Sequence, residues 1–107
     1  MVLTRDFKET VQARVRRDPA FRKALFIEGV EAFLAGDIET GKAVLRDCIN
    51  ATVGFGGVAK AVKRSPKSLM RMLGPNGNPQ AQNLFEIIAF LQQEEGVQLK
   101  VRLAMAS

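Results

Sequence analysis

The stretch Phe55-Gly56-Gly57-Val58-Ala59-Lys60-Ala61-Val62-Lys63-Arg64-Ser65-Pro66-Lys67-Ser68-Leu69-Met70-Arg71-Met72-Leu73 decides the fold. It reads as two short helices joined by a tight turn. Val58 and Val62 are the apolar anchors of the first helix, and Leu69 and Met72 anchor the second. Ala59 supplies the small side chain that two closely crossing helices need. Ser65-Pro66 marks the start of the second helix, since serine caps free backbone N–H groups and the fixed φ of proline suits the first helical position. The turn departs from the common helix-turn-helix pattern. Lys63 stands where glycine usually takes left-handed backbone, and Arg64 where an apolar residue is usual. A non-glycine in that conformation costs about 1 kcal/mol, which a packed domain tolerates.

Charge singles out the same stretch. Between Asp47 and Glu86 there are five cations, Lys60, Lys63, Arg64, Lys67 and Arg71, and no acid. The other eleven basic residues are matched by all eleven acidic ones, so the formal net charge of +5 resides here. Such a concentration is the electrostatic footprint of a phosphate-bearing partner, although a run of cations is in many proteins only a solvated helix face.

The remainder of the chain reads as helices around this unit. Phe7, Val11 and Val15 recur at a helical interval from Arg5 to Arg17. Asp18-Pro19 restarts the chain as N-cap and first-turn proline of a helix running to about Ala35, with Phe21, Leu25, Phe26, Val30, Phe33 and Leu34 on one broad side. Gly36 ends it. Asp37 caps the next helix, to about Thr52, which is expected to bury Ile38, Val44, Leu45, Cys48 and Ile49. After the turn-rich Pro75-Asn76-Gly77-Asn78-Pro79, Asn78 is the expected cap of a helix from Pro79 to about Glu94, with Leu84, Ile87, Ile88 and Leu91 facing inward and Gly96 stopping it. The tail changes period: Val97, Leu99, Val101 and Leu103 alternate with Gln98, Lys100 and Arg102, the pattern of a half-buried strand. No second strand is legible, so the expected partner of that strand is its counterpart in a second subunit, or another protein; the alternative is that the segment lies on its own helices.

Composition excludes much. A chain of 107 residues makes one domain. It divides into an N-terminal helical extension over 1–36, a helix-turn-helix core over 37–96 and a strand over 97–104. No apolar run spans a bilayer, and residues 1–20 lack the apolar stretch of a signal peptide. The single cysteine, Cys48, has no internal disulfide partner and fits a cytoplasmic location and a place in the core. With no histidine in the chain, His-based triads and most zinc sites are out. Gly54-Phe55-Gly56-Gly57 lacks the Gly-Lys-Ser/Thr of a phosphate loop. Glu94-Glu95 point in different directions on a helix, and Glu28 and Glu31 read as solubilising charge. No enzyme, cofactor or metal is expected.

If the second helix of the pair enters a major groove, its outward residues are Ser65, Pro66, Lys67, Ser68 and Arg71. Lys67 and Arg71 lie one turn apart and can reach guanine acceptors. Ser65 and Ser68 suit phosphate oxygens, and Lys60, Lys63 and Arg64 suit the backbone. Asn76 and Asn78 read chiefly as turn and cap residues.

The segment from Leu45 to Leu103 resembles the prophage-type DNA-binding regulators known as addiction-module antidote proteins, related to the HigA-like antitoxins. The resemblance rests on Ala59 and the helix-turn-helix frame, on Ser68-Leu69-Met70-Arg71-Met72-Leu73 followed by Gly77-Asn78-Pro79, on the amphipathic helix with Leu84 and Ile87, and on the alternating tail. It implies a lambda-repressor-like helical domain, a homodimer, and repression from a palindromic double-stranded DNA operator. It further implies that some members neutralise a toxin encoded beside them. Two other expectations stand beside this one. The chain is a protein-interaction module that grips a toxin with DNA binding secondary, or it binds nucleic acid, including RNA, without sequence preference.

Overall fold

The structure is a computed structural model and describes residues 13–106. It is mainly α-helical, and no strand occurs among the described residues. A helical segment over 13–17 (α1) leads into α2 (Pro19–Leu34), α3 (Ile38–Ala51), α4 (Gly54–Val62), α5 (Pro66–Met72) and α6 (Ala81–Glu95). The expected positions Phe7 and Val11 lie outside the described residues, while Val15 is fully buried.

The helix starts follow local chemistry. Asp18 Oδ1 accepts from the Phe21 N–H at 3.1 Å with Pro19 in the first turn, and Asp37 Oδ1 accepts from Thr40 N–H at 3.3 Å. Each cap satisfies an N–H that the helix itself leaves free. Gly36 and Gly96 end α2 and α6 at φ +84° and +65°, a region that costs glycine nothing. Gln80, not Asn78, is the N-cap of α6, and it makes no side-chain cap bond. Residues 77–80 are irregular and lead into a helix that begins later than Pro79.

α2 and α3 pack as an antiparallel pair. A Cβ on Gly41 would lie 2.7 Å from the Phe33 ring, so glycine sets their close approach. Phe26 of α2 and Leu45, Cys48 and Ile49 of α3 meet Phe55, Val58 and Ala59 of α4. Leu69 and Leu73, with Ile87, Ile88 and Leu91 of α6, complete one core. Two expected core residues lie elsewhere: Leu34 and Ile38 are exposed, because they flank the α2–α3 turn beyond the reach of the core. Cys48 is buried as expected. Burial, and next the charges of Asp47 and Glu95, push its thiol up to about 12.

Arg22 of α2 ties the segment before it to the end of α6. Its Nε pairs with Glu95 at the end of α6, and its Nη1 donates to the carbonyls of Val15 and Arg16 at 3.0 and 3.1 Å. The Glu95 carboxylate is almost fully enclosed and the Arg22 side chain is largely so.

The tail corrects a second expectation. Residues 97–106 are irregular where a strand over 97–104 was expected. The Val97 N–H returns to the Gln92 carbonyl and the Leu99 N–H reaches Gln92 Oε1 at 2.7 Å, which holds Leu99 against the core. Beyond it Val101, Leu103 and Met105 are 87%, 90% and 91% exposed. Alternation alone does not make a strand: a ladder needs a second backbone, and none of the described segments supplies one.

Candidate nucleic-acid interface

α4 turns Phe55, Val58 and Ala59 into the core and leaves Lys60 and Ala61 in solvent. Its end is made by Lys63, at φ 58° and ψ 48°. This is the left-handed conformation expected of the residue that replaces glycine, and Lys63 is the only non-glycine with positive φ among the described residues. The N–H groups of Lys63 and Arg64 both return to the Ala59 carbonyl, the latter at 3.0 Å. Two carbonyl lone pairs close the turn, so glycine is not required for its hydrogen bonding. Arg64 is exposed, which removes the need for an apolar side chain there.

Ser65 then caps α5. Its Oγ accepts from the Ser68 N–H at 3.1 Å, and Pro66 occupies the first turn. The seven residues of α5 divide cleanly. Leu69 is fully buried and Met72 is half-buried, with Leu73 closing the core just beyond, while Lys67, Met70 and Arg71 face outward. Met70 is 50% exposed between two cations, a feature that periodicity did not single out.

The eight expected site residues fall in two grooves and on one ridge. Arg64, Ser68 and Arg71, with Met72, form one wall of a groove of about 420 Å³. Asn76, Asn78, Gln80 and Asn83 line its other side. Asn76 lies in the turn after α5 as expected, Asn78 caps no helix, and both line this groove. Asn83 Oδ1 is buried there without a hydrogen-bond donor. Lys63 lies at a second groove, about 510 Å³, whose floor is Ala61, Val62, Ala89 and Phe90 and whose rim carries Glu86 and Gln93. Lys60, Ser65, Pro66 and Lys67 stand exposed on the outer surface of α4 and α5.

None of the five cations forms an ion pair with a described residue. Exposed and without ion-pair partners, they are available to a polyanion. Behind the site, α3 contributes two further cations that sequence reading left unassigned. Lys42 Nζ donates to the carbonyls of Gly74 and Gly77, each at 2.9 Å, and Arg46 Nη1 donates to that of Leu73. The partners are 27 to 35 residues away in sequence, and no local pattern announces such contacts.

Among the described residues no helix is long and apolar enough to cross a membrane, and no cluster of three or more His, Cys, Asp or Glu could hold a metal ion. No protein family, no curated protein and no solved structure matches the chain.

Proposed function

We propose that the chain is a sequence-specific DNA-binding regulator, a repressor, that docks α5 in the major groove. The observation that carries this is the pairing of two short helices joined by a tight turn with a cation cluster that lacks ion-pair partners among the described residues: five basic residues on α4, the turn and α5, every one exposed. Lys67 and Arg71 are the base-reading candidates on the exposed side of α5, and Met70 between them suits a thymine methyl. Lys60, Lys63 and Arg64 meet backbone phosphate, with Ser65 and Ser68 close by.

The reading includes a homodimer on a palindromic operator, with half-sites about one helical turn, ~34 Å, apart. The exposed Val101, Leu103 and Met105 offer apolar surface for such an assembly. A lambda-repressor-like arrangement of α3 to α6 and a cytoplasmic, nucleoid-bound location belong to the same proposal, as does an antitoxin role. The test is fluorescence anisotropy against the DNA upstream of its own coding sequence and a scrambled duplex, for wild type and Arg71→Ala. Strong preference for the upstream duplex, lost in the variant, is the expected result. Equal weak binding to both duplexes would sink it.

One observation favours a second reading. The apolar tail and Phe85 on α6 lie away from the cation cluster in sequence and are well exposed, as an interaction module that grips a partner protein requires. Co-purification with the product of the neighbouring gene, lost on truncation after Lys100, supports that role; no complex with it counts against it.

A further inference from the structure

We propose that Lys42 and Arg46 are positioning residues for α5: two cations on α3 that fix the angle at which Lys67 and Arg71 are presented to DNA. This rests on α5 being the DNA-facing helix.

A helix of seven residues cannot hold its own geometry, because nucleation is costly and most of its terminal carbonyls have no intrahelical partner. In this protein the end of α5 is held from outside. Lys42 is 1% exposed, yet its ammonium is fully satisfied. It donates to Gly74 and Gly77 at 2.9 Å each and pairs with Glu39 at 2.8 Å. One turn further along α3, Arg46 donates to the Leu73 carbonyl. Arg46 thus meets the C-cap carbonyl, at the negative end of the α5 dipole, and Lys42 holds the loop just beyond it.

The loop closes the clamp from the other side. A Cβ on Gly77 would lie 2.1 Å from the Arg71 carbonyl oxygen and 2.3 Å from that of Met72. The backbone of Arg71 is therefore wedged against the loop that Lys42 holds, while its side chain lines the groove. Any shift of the 74–77 backbone moves the root of Arg71.

Methionine at this position would keep the bulk of Lys42 but leave the Gly74 and Gly77 carbonyls without their donor, a loss that lowers the unfolding midpoint without abolishing the fold. What the ammonium adds is direction: three bonds of fixed geometry where methionine would supply only bulk. The inference therefore separates positioning from folding. Lys42→Met should keep its helical circular dichroism and cooperative unfolding while losing discrimination between duplexes.

The experiment measures affinity for the upstream and scrambled duplexes over a salt series, with amide hydrogen exchange of residues 69–73, for wild type, Lys42→Met and Arg46→Met. The expected result is a ratio of affinities lowered about tenfold, within the range one well-placed base contact supplies, with the salt slope retained and exchange in α5 faster. Arg46→Met loses a single bond of a half-buried side chain, so it carries the test if Lys42→Met does not fold. A specific wild type with folded variants of unchanged ratio overturns the positioning role. A wild type that does not discriminate overturns the DNA reading itself; faster exchange in the variants then leaves only a structural clamp.

Discussion

The same two residue types do opposite work on neighbouring helices. On α3, Lys42 and Arg46 turn inward and spend their hydrogen bonds on backbone carbonyls of the α5 C-cap and of the loop that follows it. On α4, the turn and α5, Lys60, Lys63, Arg64, Lys67 and Arg71 turn outward and pair with nothing described. A cation that is enclosed and fully bonded holds structure, and one that is exposed and unpaired is available to a partner. Charge counts along the sequence cannot separate the two, because both kinds contribute equally to the net charge. Arg22, with its enclosed Glu95 and two carbonyls, belongs with the inward set.

The contrast can be broken residue by residue. The largest effect is expected at the inward set. Glu95→Ala leaves the Arg22 guanidinium enclosed without its carboxylate, and should cost about 3–5 kcal/mol in stability by urea unfolding. A loss below about 1 kcal/mol, the worth of a surface pair, would show that water replaces the carboxylate at Arg22. At the outward set the effect moves from stability to binding. Arg71→Ala should leave the unfolding midpoint in place but weaken preferred-duplex binding by about 1–3 kcal/mol in anisotropy titrations.

Cys48 sharpens the comparison through pH. Its folded value lies above its ordinary 9.0, at about 12. The folded state therefore holds this proton where the unfolded chain has released it. The contribution is full below pH 9 and is lost as pH rises toward 12, by up to about 1.4 kcal/mol per unit. Cys48→Ala should lack that alkaline component when urea unfolding is compared at pH 8 and 10.5. The smallest effect lies in the turn. Lys63→Gly removes left-handed strain and should stabilise by about 0.5–1 kcal/mol in the same assay, while lowering affinity for DNA. Loss of stability would mean that the lysine stem packs in the groove beside Phe90.

What could be read from the sequence follows the range of the interactions. Asp18-Pro19, Asp37 and Ser65-Pro66 announced their helices because each cap acts on an N–H three residues on, or sets its own φ. Lys63 in left-handed backbone followed from its place in the turn. The outward side of α5 was legible as well, since Leu69 and Met72 fix which side is inward. Asn78 failed as a cap because turn residues cluster there and only tertiary contacts choose among them. The tail misled because alternation records which side chains are apolar and not whether a second backbone is present. Lys42, Arg46 and the Arg22–Glu95 pair were invisible, as their partners lie 27 to 73 residues away.

The central claim is that the outward cations meet the DNA backbone, and its most direct test is the salt dependence of binding. Log affinity against log salt should be measured on the upstream duplex for wild type and for a variant with Lys60, Lys63 and Arg64 changed to glutamine. Each phosphate contact contributes a slope of roughly −0.9, so three lost contacts should flatten the line by about 2.7 per protomer, about 5.4 for the proposed dimer. An unchanged slope in a folded variant would contradict the claim and assign these cations to solvent.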